Sequence, residues 1–511
     1  MMRLKTIAFA SALAFTCSLN TAMASEIRIG FANDPLTLDP ANHRNRDTET
    51  IIRNMYDGLV TRDGDMKVVP ELIESYSQVS PTVYDFVIRS GVKFHDGSTM
   101  TAGDIKFTLD RLTVDGAMNG QTSPRKSLLG PVEKVEELEN NIIRIHLSEP
   151  WPILPAMLPN QQIVSEAFVK AHGDEALATQ VNGTGSFKLV EWRKGDSVIM
   201  ERFEDYYGGS PDVPPVGKAC VERAIFKVIP ENASRVAALL AGDVDIITEL
   251  PAFSVSQIKN NPNTDVMTVN GTRSFFIAMN NEGSALKDVK VRQALAYAVD
   301  KKLIVDKLFN GTAALINGIL SPDAFAYNPD LITYDYNPEK AKSLLAEAGY
   351  PDGIELTLET EGAYKDTAEA IGAVMSKAGV RISVVTGEAS QLVSKWRTQG
   401  KPKSGDLWLT SWGNGSLDPY DIFVPTHRTN DRGNSAGYAN PQVDQLLDAA
   451  GVEADTEKRA SLYKEAETIV NKELPYIYLW VPQDIYGVSK RLSGWKPSAD
   501  SRIHLHDACI N

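Results

Sequence analysis

LWLTSWGNGSLDPYD, residues 407–421, is the stretch around which the chain is organised. It opens as a short apolar strand, Leu407-Trp408-Leu409, and then breaks into a loop holding Trp412, Gly413, Asn414, Gly415, Ser416 and Asp418. A buried strand that ends this way brings three things to one spot. Trp412 supplies a flat apolar wall, the two glycines bare the backbone N–H groups, and Asn414, Ser416 and Asp418 supply short polar groups. That is the inventory of a small-molecule pocket, mostly apolar walls with a few placed hydrogen-bonding groups. The same residues also compose a surface turn after a core strand, with Trp412 as ordinary core. The rest of the chain decides between the two.

A chain of 511 residues exceeds what one hydrophobic core organises, so two or three globular units are expected. Its 43% apolar and 23% charged residues are those of an ordinary water-soluble protein. The formal charge of -14 and pI of about 5.1 argue against nucleic acid or anionic lipid as partner, because both require basic surface. Residues 1–24 have the pattern of a secretory signal: Arg3 and Lys5, an apolar run over 7–15, and the small-residue site Ala22-Met23-Ala24. The mature chain then begins at Ser25 and loses two positive charges. Thr16 before Cys17 is a poor match to a lipid-attachment signal. Export leaves Cys220 and Cys509, an even pair in an oxidising compartment, and predicts a disulfide between them. Closing so long a loop stabilises the fold by roughly 4–5 kcal/mol on the chain-entropy model.

Taken in order, residues 26–32 alternate as a strand does and lead into the loop NDPLTLDP, 33–40. A helix is expected over 48–59 with Asp47 as N-cap. Tyr84, Phe86 and Ile88 alternate in a strand, 92–97 forms strand and turn, and Thr101 caps a helix with Ile105, Phe107, Leu109 and Leu112 on its apolar face. Asn337-Pro338 is an N-cap followed by a first-turn proline, with Gly349 as the stop. Val291, Leu295, Ala298 and Val299 share one helical face. Residues 225–229 and 354–358 are expected strands, 443–450 and 457–471 amphipathic helices, and YIYLWV, 476–481, a buried strand. Strand and helix alternate through 283–400, the pattern of an α/β lobe.

Several long motifs fall in one order: 68–112, VVPELIESYSQVSPTVYDFVIRSGVKFHDGSTMTAGDIKFTLDRL; NGTGSFKLVEWRKGDSVIMERFEDYYGG, 182–209; DVKVRQALAYAVDKKLI, 288–304; and YNPEKAKSLLAEAGYPDG, 336–353. Together they resemble the peptide/nickel/opine family of solute-binding proteins, the extracytoplasmic receptors of ABC importers (family 5, cluster C). The likeness spans nearly all of the mature chain, with Ser186 where the family usually has proline. It implies an α/β, two-lobed periplasmic binding protein fold of type II with an extra inserted domain. Lobe I would comprise 25–62, 183–271 and 484–511, domain II 63–182, and lobe III 272–483, the lobes joined by two crossing strands. Cys220 and Cys509 then share a lobe. The resemblance also implies a monomer in the periplasm that hands a small-molecule ligand to an inner-membrane permease, with no nucleic acid partner and no cofactor.

On that map Trp412 walls in or stacks on the ligand, and Gly413, Asn414, Gly415 and Ser416 bind its carboxylate or hydroxyl oxygens. Arg273, in GTRSF at the expected hinge, is a fork for a carboxylate, with a surface ion pair as its plain alternative. Asn33 and Thr37 would close from lobe I. Glu361 and Tyr364, in a loop after a strand, come next. Trp396 and Arg428 rank below them as pocket candidates, with core and solvated surface as their plain alternatives. Peptide-binding relatives often hold the peptide amine with an aspartate early in the pocket loop; here Asn414-Gly415-Ser416 occupies that place. Unless Asp418 reaches in, an amine lacks its partner, and a buried unpaired charge costs several kcal/mol. The ligands favoured are therefore opines, sugar–amino-acid conjugates and modified or short peptides. A nickel chelate, a secreted hydrolase using an Asp or Glu pair in the same cleft, and a chaperone-like binder of unfolded chains are the alternatives. G-x-S-x-G, H-E-x-x-H and the P-loop pattern are absent, and Gly183-Thr184-Gly185 lacks the third glycine of a dinucleotide loop. No cysteine cluster has metal-ligand spacing. His95 is expected as a turn histidine, and His504 and His506 on one strand face have no third ligand nearby.

Overall fold

The computed structural model describes residues 25–283, 285–398 and 405–511. The expected signal segment lies outside the described residues. A twelve-stranded mixed sheet runs through the molecule, and one strand belongs to both of its halves. Tyr476–Ser489 pairs with Arg273–Met279 and Ala313–Leu315 over its first part, and with Thr264–Asn270 and Ile246–Ile247 over its second. YIYLWV is thus the start of a longer strand, because its second part is stitched into a different set of neighbours.

The half called lobe I is built on Glu26–Phe31, which lies parallel to Arg223–Val228 and to Ile246–Ile247. In the other half, lobe III, Ile354–Glu361 lies parallel to both Val380–Gly387 and Leu407–Gly413. Strands buried on both faces need continuous apolar side chains, and LWL at 407–409, parallel to Ile354–Glu361, and IYLWV at 477–481, antiparallel to its neighbours, supply them: Leu407, Trp408, Leu409, Leu479 and Trp480 are wholly buried. The chain crosses between lobes at 270–273 and again at 482–483. Gly271 is required at the first crossing. Its amide donates to the Pro482 carbonyl at 3.0 Å, and a Cβ there would lie 2.6 Å from that oxygen.

A third body inserts after the first strands. Ile73–Ser80, Val83–Ile88, Ile142–Leu147 and Val132–Leu138 form a four-stranded antiparallel sheet, and Ala102–Thr113 packs on it over its own core of Phe86, Ile105, Leu109 and Ile143. Thr101 and Asp104 close a capping box on that helix. Asn337 caps Pro338–Glu347, accepting from the Lys340 amide.

The helix expected over 48–59 is shorter and starts earlier. It spans Arg46–Ile52, and Asn45, not Asp47, is the cap, its Oδ1 accepting from the Thr48 amide at 2.8 Å. It ends early because the Met55 carbonyl is needed elsewhere: the Gly185 amide donates to it at 3.1 Å, and a Cβ on Gly183 would lie 2.1 Å from it. The Gly-Thr-Gly stretch is therefore a close-packing device. His95 sits in its turn with Nε2 3.1 Å from the Gly185 carbonyl, and burial lowers it to about 4. His504 lies in an irregular segment and His506 in the turn after it, both outside any strand, and among the described residues no group of three or more His, Cys, Asp or Glu is placed to hold a metal. Cys220 and Cys509 are bonded, tying the C-terminal strand Cys509–Ile510 to lobe I.

Glu467 gives the fold a pH dependence. It is buried in the helix Thr456–Glu473 against Gly318, and burial raises its carboxyl from 4.5 to about 8. The folded chain then holds a proton that the unfolded chain releases, so this group's contribution is full below about 4.5 and is lost as pH rises toward 8, by up to about 1.4 kcal/mol per pH unit. Denaturant titrations at pH 5 and pH 8 should show Glu467→Gln less sensitive to pH than the parent; equal slopes would place the proton elsewhere.

Candidate functional site

The strand Leu407–Gly413 pairs antiparallel with Arg273–Met279, Gly413 opposite Arg273. The register brings Arg273, Trp412 and Gly413 to one level beside the interlobe crossing. The Asn414 amide then donates to the Thr272 carbonyl at 2.7 Å. Ser416 Oγ lies 3.3 Å from both Asn414 Oδ1 and Asp421 Oδ2, and the Asp418 amide donates to Ser416 Oγ at 3.2 Å. The loop oxygens are thus tied to one another, Asn414 Nδ2 is buried without a partner among the described residues, and the loop ends in the helix Pro419–His427, capped by Asp418 through the Tyr420 amide at 2.9 Å.

A cavity of about 440 Å³ opens in front of this loop, and all three bodies line it. Trp412, Gly413, Gly415 and Ser416 form one wall together with Arg273, Arg397, Ser411, Asp421 and Arg432. Lobe I contributes Arg44, Arg46, Glu49 and Arg502; the inserted domain contributes Arg125, Leu128, Met157 and Asn160. Seven guanidinium groups thus face one space with two carboxylates. Arg44, Arg46, Arg273, Arg397 and Arg432 have no carboxylate within 4.0 Å among the described residues, whereas Arg125 and Arg502 share Glu49 at 3.4 and 3.3 Å. Burial pushes the Glu49 carboxyl up, but Arg502 and Arg125 outweigh it and hold it near 2. Asp421 is raised by its burial, with Arg432 opposing.

Trp412 serves these charges. The Arg397 guanidinium lies 4.7 Å and that of Arg432 4.9 Å from the indole ring centre, distances of cation–π contact. The indole N–H donates to the Asp421 carbonyl at 3.0 Å, and a Cβ on Gly433 would lie 2.6 Å from the ring. Arg397 also lies 4.8 Å from the Trp408 ring, and its burial lowers it to about 10, so it stays charged near neutral pH.

The other residues singled out from sequence lie as follows. Asp418 is turned away from the cavity: its two oxygens accept from Arg459 Nη1 and Nη2 at 2.7 Å each, both side chains buried. Asn414 is buried behind the wall. Asn33 donates to Asp47 at 2.7 Å on the surface, and Thr37 is buried with its Oγ1 accepting from the Asp39 amide. Tyr364 packs edge-on to Phe275 at 5.2 Å, and Glu361 ends the strand beside it. Trp396 is core, bonded to Glu359, and Arg428 pairs with Asp448 on the surface. Sequence reasoning did not find Arg44, Arg46, Arg125, Arg397, Arg432 or Arg502. No spacing links them; they converge only in the fold.

A second cavity, of about 300 Å³, shares Arg46 with the first. Its character is opposite: Asp47, Glu249 and Asp484 line it, and burial raises both Glu249 and Asp484. Three contacts cross between bodies nearby. Arg62 donates to the Ser416 carbonyl at 2.8 Å, Trp151 meets Tyr420 edge-to-face at 6.1 Å, and Leu417, at φ +56, packs with Met66 and Ala499.

Two lobes joined by crossing strands with a lined cavity between them define a clamp that closes on a small solute. Residues 67–434 match the model of bacterial extracellular solute-binding proteins, family 5, middle region, and the chain belongs to that family. The glutathione-binding protein GsiB of Escherichia coli strain K12 is 27% identical, the match covering 98% of this chain and 97% of that one. The structure of HbpA2 from Haemophilus parasuis superposes with a TM-score of 0.87 at 26% identity, over 95% of this chain and 100% of that one. The structure of the binding protein AgaA from A. tumefacien R10, in complex with agropinic acid, superposes with a TM-score of 0.73 at 26% identity, over 95% of this chain and 99% of that one. The protein is thus the solute-binding component of an ABC importer, and its relatives are binding proteins of transporters. Among the described residues no helix is long and apolar enough to cross a membrane.

The Asp418–Arg459 pair gives a direct check on the wall. Arg459→Met should destabilise the protein by about 3–5 kcal/mol, because it strands a buried carboxylate. The exposed Arg273→Gln should stay within about 0.5 kcal/mol of the parent. Chemical denaturation measures both; equal, small effects would remove Asp418 from the scaffold.

Proposed function

We propose that the protein captures a small acidic solute in the periplasm as a monomer and delivers it unchanged to an inner-membrane permease. The observation that carries this is the excess of guanidinium groups in the interlobe cavity, five of them without a carboxylate partner among the described residues. Planar forks of this kind match carboxylates and phosphates. The solute classes that fit are acidic opines, sugar–amino-acid conjugates and short or modified peptides such as γ-glutamyl peptides. Relatives named for glutathione and solved with agropinic acid are consistent with carboxylate recognition. An amine on the solute finds its counter-charge in the neighbouring cavity, at Asp47, Asp484 and Glu249, since Asp418 is committed to Arg459.

The hydrolase alternative draws little support from the same geometry. Of the two carboxylates in the cavity, Glu49 is held ionised between two arginines, which suits neither a proton donor nor a strong base. A nickel complex would be held here only through its chelator's carboxylates.

Isothermal titration with glutathione, agropinic acid, Met-Leu and nickel–histidine tests the proposal. The acidic solutes should bind best, and Arg273→Gln should weaken them by about 10–100-fold, the worth of one charge-assisted hydrogen bond. Asp484→Asn should weaken amine-bearing solutes and spare those without an amine. Tighter binding of Met-Leu, unaffected by Arg273→Gln, or release of cleavage products, would overturn the proposal.

A further inference from the structure

The positive charge in the main cavity is divided between bodies that the hinge joins. Arg44, Arg46 and Arg502 stand on lobe I and Arg125 on the inserted domain, while Arg273, Arg397 and Arg432 stand on lobe III. The two carboxylates do not bridge this division. Glu49 is engaged on its own side by Arg125 and Arg502, and Asp421 sits on the lobe III side next to Ser416. The faces brought together by closure are therefore of like sign, an arrangement that disfavours their meeting. Against this repulsion stand two hydrogen bonds at the cleft, Arg62 to the Ser416 carbonyl and Arg46 to Thr272, one ring pair, Trp151 with Tyr420, and one small apolar cluster at Leu417. Arg46 lies where the faces come closest to the hinge: its Nη2 donates to Thr272 Oγ1 at 3.3 Å, one residue before Arg273. Burial and Arg502 lower the affinity of Arg46 for its proton, Asp484 beside the hinge opposes them, and Arg273 from the far lobe lowers it further.

We infer that the solute carries at least two anionic groups set apart, one for each arginine face, and that these charges bolt the lobes together. The Trp412-held pair Arg397 and Arg432, with Arg273, takes one group; Arg44, Arg46, Arg125 and Arg502 take the other. Without a solute the cleft stands open by like-charge repulsion, so a monoanion fills one face and does not close it. This rests on the acidic-solute proposal above and narrows it to dicarboxylates, or carboxylate–phosphate compounds, whose charges lie at opposite ends.

Small-angle X-ray scattering of the full mature chain tests the repulsion without any solute. Its radius of gyration should fall between 20 mM and about 500 mM NaCl, as screening shortens from tens of ångströms to a few. The double variant Arg273→Gln/Arg432→Gln should be compact already at low salt. Glutarate, tricarballylate and butyrate, titrated calorimetrically and by scattering, then test the charge count. Both polyanions should bind and compact the protein, and butyrate should bind at least about 30-fold more weakly than glutarate and leave it extended. Butyrate compacting the protein as fully as tricarballylate, or a radius unmoved by salt and by the double variant, would overturn the inference while leaving acidic solutes as the cargo class. Binding of none of the acids, glutathione included, would instead sink the acidic-solute proposal.

Discussion

Seven guanidinium groups around one cavity form an arrangement that must be held together by something other than its own charges. The scaffold does this with neutral acceptors and ring faces. Arg46 donates to Ser501 and Thr272 hydroxyls, Arg273 to Ser411 Oγ, and Arg125 to Gln161 Oε1 and the Asn160 carbonyl. Arg397 lies between the rings of Trp408 and Trp412. Arginine tolerates such company better than lysine would, because its charge is delocalised, weakly hydrated and kept well above neutral pH. Only Glu49 neutralises directly, and it serves two arginines at once. A cavity built this way is preorganised for anions: its donors are oriented before the solute arrives, and Arg125 and Arg502 are already buried, so less is lost in ordering them.

The shared strand Tyr476–Ser489 makes that preorganisation mechanical. Its first part is buried in the lobe III core among Trp480, Phe276 and Tyr476, and its second part is stitched to Thr264–Asn270 of lobe I. Each lobe can then pivot as a packed body while only the backbone near Gly271 and Pro482 changes its dihedral angles, the pattern of hinge closure about a few residues. The pocket loop starts one strand away from this hinge, and the Asn414 amide is bonded to Thr272 within the crossing itself. Loop and hinge are therefore one structural unit.

What could be seen in the sequence was what local chemistry decides. Asn337-Pro338 starts a helix because an amide side chain and a proline suit its first turn. Leu407-Trp408-Leu409 forms a central strand because nothing in it is polar, and Trp412, Gly413, Gly415 and Ser416 follow it onto the cavity wall. Asn45 and Asp47 illustrate the limit. Either side chain can cap a helix, and the choice turned on where the next turn had to end, against Gly183 and Gly185, some 130 residues along the chain. Asp418 illustrates it again. Its partner Arg459 is 41 residues away, and no local pattern distinguishes a committed aspartate from a free one. The arginines were invisible for the same reason, since no local pattern sets any one of them apart from the chain's other arginines and only tertiary convergence makes them a site.

The acidic composition and the basic cavity are compatible because they act over different distances. The net charge of -14 is spread over the outer surface, where physiological salt screens it beyond about 8 Å. A solute in the cleft lies closer to the guanidinium groups than that screening length, so their local excess sets the potential it meets. The outer charge favours solubility, while the inner charge is what a solute meets. Because the inner charge sits on two movable faces, selection and closure draw on the same interaction: a solute that fails to neutralise both faces is bound weakly and also leaves the clamp without the contacts that favour its closed form.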